Sequence, residues 1–249
     1  MTINFKDHFS QVASGYRAFR PEYPEDLFQW LADVSPQRKV ALDCGCGTGQ
    51  AAVALARYFD SVYAVDPSQE QIANAVPNEK VTYLVAPAEK TGLPRETLDL
   101  IIAAQALHWF DLERFYPEVD RIARQGAIFA AFSYGLVTIA PEIDRVIKHL
   151  YYDILGQYWP PERRHVDAGY RSLPFPFREI AAPGFTMKAN WGINHLMGYL
   201  ATWSAVKEFR ARTANDPLKD VEAELQGEWG QEEEKPISWP LVIRAGIIR

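Results

Sequence analysis

Between positions 39 and 134 short apolar runs alternate with stretches whose apolar residues recur every third or fourth position. The runs are KVALDC, SVYAVD (61–66), VTYLVA (81–86), LDLIIAAQ (98–105) and GAIFAAFSY (126–134). Between them lie GQAAVALARYF, SQEQIANAV and DLERFYPEVDRIAR, each with helical periodicity. Strands that are apolar on both faces and separated by helices predict a parallel sheet covered on both sides. Upstream, Phe5, Phe9, Val12, Tyr16 and Phe19 form an amphipathic helical stripe. Pro21 and Pro24 end it, and a second helix is expected over Glu25–Ala32.

After Tyr134 the alternation gives way to longer helical runs. PEIDRVIKHLYYDILGQYW reads as one helix, followed by a proline-rich stretch from Trp159 to Phe177. TMKANWGI (186–193) predicts a sixth strand. HLMGYLATWSAVKEFRAR and DPLKDVEAELQGEW predict two more helices, the second capped by Asp216 with Pro217 in its first turn. ISWPLVIRAGII supplies a last strand, with Pro240 marking its start or an edge.

Composition narrows the chemistry. The 249 residues carry a net charge of −6 and no basic stripe, which argues against a nucleic-acid substrate. Its two cysteines, Cys44 and Cys46, are too few for a disulfide framework or a zinc site, and no metal is called for. No leader-like segment or uninterrupted apolar span stands out, so a soluble, cytoplasmic protein with no membrane partner is expected.

The first strand runs into VALDCGCGTGQ, with Gly45, Gly47 and Gly49 at alternate positions. A strand, a glycine turn and a helix in this order place a nucleotide-like ligand against bare backbone at the carboxyl ends of the strands. Asp66, ending the second strand, is placed to accept hydrogen bonds from ribose hydroxyls. A dinucleotide fingerprint would need glycine where Gln50 stands. The acidic residue before the loop, Asp43, suits a ligand bearing an ammonium group better than a pyrophosphate.

With AVDPS, these residues resemble the first motifs of class I S-adenosylmethionine-dependent methyltransferases. YRAFRPEYP (16–24), APAEKTGLP (86–94) and AQALHWFD (104–111) extend the resemblance toward the small-molecule group that includes the trans-aconitate methyltransferases. The resemblance implies a Rossmann-like, doubly wound, seven-stranded, mostly parallel α/β sheet. It further implies an N-terminal lid (1–35), a cofactor-binding core (36–134), and an inserted helical cap with the last strands (135–249).

The same resemblance implies site roles. Asp43 and the backbone of Gly45, Cys46, Gly47 and Gly49 would hold the methionine part of S-adenosyl-L-methionine. Asp66 would hold the ribose, Pro67 would flank the adenine, and Ala88 and Glu89 would meet its ring, while Gln105 would lie near the reactive methyl. Many relatives place an aspartate where this chain has Pro87, so that contact falls to Glu89. Tyr16 and Arg20 would close over the cofactor, Arg20 pairing with its carboxylate or with the substrate.

His108 is a candidate base or a packing residue, and Trp109 a candidate wall of the reaction site. For a small-molecule substrate the candidates are Trp191, His195 and Trp203, with Arg163 and Arg164 gripping an anion. Methylation at oxygen of a small carboxylate is the expected activity. Two alternatives are a cofactor-binding regulatory protein without catalysis and an NAD-dependent oxidoreductase.

Overall fold

A computed structural model describes residues 19–249. The expected N-terminal stripe up to Tyr16 lies outside the described residues. In chain order the leading elements are α1 (Glu25–Val34), β1 (Val40–Cys44), α2 (Gln50–Leu55), β2 (Ser61–Asp66), α3 (Gln69–Ala73), β3 (Val81–Val85) and β4 (Leu98–Ala104). A single 3-10 turn (Leu107–Trp109), α4 (Leu112–Ile122) and β5 (Ala123–Tyr134) follow. The second half holds α5 (Pro141–Lys148), α6 (Arg163–Asp167), β6 (Arg178–Ile180), β7 (Thr186–Trp191), α7 (Ile193–Ala201), α8 (Ser204–Thr213), α9 (Leu218–Trp229) and β8 (Lys235–Ile247).

The sheet runs β3-β2-β1-β4-β5-β8-β6, with β1 to β5 parallel and β8 antiparallel to both neighbours. Six of the seven expected strands lie on this path. The expected strand over 186–193 is β7, which pairs only with β8 off the path, and the short edge strand β6 is one that the sequence pattern did not predict. Strand β8 changes partner at Pro240. Thr186 to Trp191 pair with its first half, and β5 pairs with it from Leu241 onward. Proline has no N–H for a continuous ladder, so a switch of partners is where a strand accommodates it.

The chain builds outward from β1 to β3, then returns to place β4 on the other side of β1. That reversal opens a crevice at the carboxyl ends of β1 and β4. Leu100 and Ile102 face α1 and α2, whereas Ile101 and Ala103 face α4, so the central strands are buried on both sides. Helix α1, within the expected lid, presses Leu27, Phe28 and Leu31 onto that first face.

A third apolar cluster joins α5, α7, α8 and α9 to β7 and the first half of β8. The helical layer therefore comes from two insertions, after β5 and after β7. The run expected as one helix over 141–159 is α5, then a π-helical turn over His149–Ile154, then a 3-10 turn over Gly156–Tyr158. The run over 195–212 breaks between α7 and α8, because Trp203 is extended (φ −65°, ψ 133°). Helix α9 starts one residue later than expected, at Leu218 with Pro217 as its N-cap. Asp216, just before it, still accepts the Leu218 amide at 3.1 Å and pairs with Arg210.

Among the described residues no helix is long and apolar enough to cross a membrane, and no cluster of His, Cys, Asp and Glu could hold a metal ion.

Candidate active site

A cavity of about 470 Å³ opens at the carboxyl ends of β1, β2 and β4, roofed by the helical layer. Its floor is the glycine loop. The amides of Gly45 and Cys46 both donate to the Val65 carbonyl (2.8 and 3.0 Å), which pins the loop to the end of β2. Gly45 (φ +67°) and Gly49 (φ +86°) occupy the left-handed region that glycine tolerates. Both are also hemmed in. A Cβ on Gly45 would lie 2.7 Å from Ala106 Cβ, and one on Gly49 would lie 2.2 Å from the Tyr83 hydroxyl.

Asp66 does more than face the crevice. Its Oδ2 accepts the Gly47 amide and its Oδ1 the Ser68 amide, each at 2.9 Å. Ser68 in turn caps α3 through Gln71. A carboxylate offers about four acceptor positions, and the Gly47 and Ser68 amides take one each, on different oxygens.

Asp43 is fully buried, and no donor among the described residues completes a hydrogen bond to either carboxylate oxygen. Burial, then the charge of Asp66, pushes its carboxyl up to about 7, with the Ala52 amide pulling it back in part. Gln105, the residue after β4, has φ +55°, a conformation that L side chains adopt at some strain. Its Nε2 donates to the Tyr134 carbonyl at 3.2 Å, while its Oε1 is buried without a partner. Among the described residues, three buried acceptor atoms without donors therefore line one cavity. Buried polar groups in native proteins are nearly always satisfied. A ligand rich in N–H groups with a cationic ammonium fits this donor-poor wall.

Pro67, Ala88 and Glu89 line the same space, and Glu89 Oε1 also accepts the Asp111 amide at 2.9 Å. This bond ties the third-strand motif to the HWFD turn.

The opposite wall comes from the helices and is aromatic and cationic. Trp159, Tyr199 and Trp203 line it, together with Arg163 and one carboxylate, Glu162. Arg163 donates from Nε to the Tyr151 hydroxyl at 2.8 Å and lies 3.4 Å from Asp167. Arg20 sits where the two walls meet. It donates to the Tyr134 hydroxyl at 3.0 Å and lies over the Tyr199 ring, while the next residue's carbonyl accepts Gln50 Nε2.

His108 lies on the cavity beside Trp109, its Nδ1 3.0 Å from the Tyr170 hydroxyl. Burial above all, with the charges of Arg163 and His165, lowers it to about 3. The imidazole is therefore neutral at physiological pH and a weak base.

The structure thus gathers Arg20, Asp43, Gly45, Cys46, Gly47, Asp66, Pro67, Ala88, Glu89, Gln105, His108, Trp109, Arg163 and Trp203 around one cavity. Gly49 shapes the loop without lining the space. Tyr16 lies outside the described residues. Three sequence candidates are placed elsewhere. Arg164 turns to solvent, because its neighbour Arg163 takes the inward side of α6. Trp191 packs behind Tyr199 and against Trp239, one layer back from the cavity. His195 stacks on Trp191 at 4.2 Å and meets the edge of Phe19. Sequence reading did not single out Tyr134, Trp159 or Glu162. The cue for the last two was their position flanking Pro160-Pro161, a rigid pair that sets a turn.

Residues 42–131 match the family model described as a methyltransferase domain. The chain is 36% identical over 225 residues to a Dictyostelium discoideum protein assigned to the methyltransferases, covering 89% of this chain and 86% of that one. It is 33% identical over 172 residues to CRG1 of Saccharomyces cerevisiae, assigned as an S-adenosylmethionine-dependent methyltransferase, over 62% of this chain and 58% of that one. A solved structure from Anaeromyxobacter dehalogenans, assigned as a type II methyltransferase, is 52% identical and superposes with a TM-score of 0.88. The match covers 92% of this chain and 98% of that one.

Proposed function

The chain belongs to the class I S-adenosylmethionine-dependent methyltransferases, and from that premise we propose that it methylates a small molecule at oxygen of a carboxylate. Family membership displaces both alternatives, the non-catalytic binder and the nicotinamide oxidoreductase. In this reading the acceptor resembles those of the trans-aconitate group, as the RPEYP and HWFD segments suggest.

The observation that supports a carboxylate is the division of charge within one cavity. Asp43, Asp66 and Glu89 come from the ends of the strands and the loops that follow them, whereas the helical wall brings the guanidinium of Arg163, with Glu162 as its one carboxylate. The acidic side suits the ammonium and ribose of the cofactor; the guanidinium side suits an anion.

When bound, S-adenosylmethionine supplies an electrophilic methyl group. Asp43 would hold the ammonium, Asp66 the ribose, and Arg20 the carboxylate of the cofactor or of the acceptor. Trp109, Trp159 and Trp203 exclude water, and Arg163 orients the acceptor for in-line displacement. Alignment and desolvation provide most of the acceleration for such a reaction. A carboxylate nucleophile is already ionised, so the weakly basic His108 need only shape the pocket.

The test is an assay of small acids and their amides with labelled cofactor, reading methyl esters by mass spectrometry. Arg163→Gln should raise KM for the acid by about tenfold or more, with little change for an uncharged acceptor. His108→Asn should lower kcat only severalfold. A loss of several orders of magnitude in His108→Asn, with Arg163→Gln unaffected, would replace the carboxylate by a phenol or an amine.

Asp66→Ala should weaken S-adenosylhomocysteine binding by about 1.5–3 kcal/mol in calorimetric titration. Because the same carboxylate holds the Gly47 and Ser68 amides, ligand-free Asp66→Ala should also melt earlier. An unchanged affinity would remove Asp66 from the ribose.

A further inference from the structure

We propose that Tyr151, presented by the π-helical turn, is a positioning residue that, with Asp167, locks Arg163 in the orientation that grips the acceptor. The turn over His149–Ile154 closes with the Leu155 amide donating to the Leu150 carbonyl at 3.0 Å, a span of five residues. Single π turns inside α-helices recur at functional sites, because the extra residue redirects the side chains around it. Here the Tyr151 carbonyl accepts Trp159 Nε1 at 3.0 Å, which binds the turn to the cavity wall. Tyr151 is 3% exposed, yet its hydroxyl has two polar partners. It donates to Asp167 at 2.8 Å and accepts from Arg163 Nε at 2.8 Å. Burial keeps this phenol protonated, so it donates and accepts at once.

The geometry leaves the useful end of Arg163 available. Its Nε is engaged from behind, and no described residue hydrogen-bonds its two terminal nitrogens. The guanidinium also lies over the Trp159 ring at 5.1 Å, which fixes its plane. A fork held at its root and by its face is prepared for bidentate contact with a carboxylate. What Arg163 grips rests on the carboxylate reading above; how it is held does not.

The experiment uses full-length protein loaded with S-adenosylhomocysteine and compares wild type, Tyr151→Phe, Arg163→Gln and the double variant. The first readout is phenylglyoxal labelling of Arg163, followed by peptide mass. The second is binding of benzoate and of its neutral counterpart benzamide, followed by fluorescence of the cavity tryptophans. Tyr151→Phe keeps the ring and removes only the hydroxyl link. It should speed labelling and weaken benzoate about tenfold, leaving benzamide and S-adenosylhomocysteine affinities within about twofold. The double variant should bind benzoate no worse than Arg163→Gln, the non-additivity expected when one residue acts through another.

Unchanged labelling in Tyr151→Phe would overturn the proposal. So would additive losses in the double variant, or a loss for benzamide equal to that for benzoate. Faster labelling with benzoate bound equally by wild type and Arg163→Gln would uphold the positioning and remove the carboxylate reading instead.

Discussion

Asp43→Asn should bind S-adenosylmethionine about a hundredfold more weakly than the wild type and yet melt higher in its absence. Both effects have one origin. The carboxyl is fully buried, and no donor among the described residues completes a hydrogen bond to either oxygen. Burial with the charge of Asp66 pushes it from its ordinary 3.8 up to about 7. Between those two values the folded chain keeps a proton that the unfolded chain has lost. Stability of the ligand-free protein therefore falls as pH rises from about 4 to about 7, and above 7 the full penalty, about 4 kcal/mol, is present. Asparagine carries no charge to desolvate and escapes that penalty.

Cofactor binding should show the opposite slope, because the ammonium seeks the ionised carboxylate. Affinity should fall below pH 7 by up to about tenfold per pH unit, while that of Asp43→Asn stays flat across the same range. Thermal melts of the ligand-free protein and calorimetric titrations from pH 5.5 to 8.5 check both slopes. A wild-type affinity independent of pH, or an Asp43→Asn variant that melts below wild type at pH 8, would overturn this account of Asp43. On this account the buried charge destabilises the ligand-free protein, and mass action should return the stability when the ligand binds.

This tension was partly legible in the sequence, where an aspartate precedes glycines after an apolar run. The five parallel strands were legible because each is an apolar run bounded by turn residues. Strands β1, β2, β4 and β5 are largely buried, and the edge strand β3 is apolar but has no fully buried residue. Where contacts between distant segments decide a conformation, local pattern failed. The 141–159 run has helical periodicity throughout, and nothing local marks the extra residue that makes a π turn. Trp203 sits inside a good helical pattern, yet its backbone is extended and its ring reaches the cavity.

Arg163 and Arg164 are neighbours with identical side chains. Only the placement of α6 against the 3-10 turn that carries His108 separates cavity from solvent. Trp191 and His195 share an aromatic run with Tyr199 and Trp203, but a layered core has a front and a back. Sequence spacing does not distinguish them. Pro87 stands where an aspartate was expected to meet the adenine, and Glu89, the residue expected to take that contact, already accepts the Asp111 amide.

Gly49→Ala should destabilise the ligand-free chain by about 3 kcal/mol or more, the largest loss of stability expected from adding a single methyl to the loop. At φ +86° alanine is strained whatever its surroundings. Its Cβ would also lie 2.2 Å from the Tyr83 hydroxyl and 2.7 Å from the ring. That ring has no easy retreat, since its hydroxyl donates to the Val76 carbonyl at 2.7 Å and Val76 in turn donates to Thr48. The clash is therefore carried back into the glycine loop, and cofactor affinity should fall with stability. Gly47→Ala separates strain from clash: its φ of +54° is also left-handed, but the nearest atom to a Cβ is Gln71 Oε1 at 3.8 Å. It should lose only about 1 kcal/mol. Adding Tyr83→Phe to Gly49→Ala removes the closest atom and should recover part of the loss, although the Val76 bond goes with it. Urea unfolding of the four proteins without cofactor measures these differences. Equal losses in Gly47→Ala and Gly49→Ala would mean that backbone strain alone sets the need for glycine, and that Tyr83 plays no part in shaping the loop.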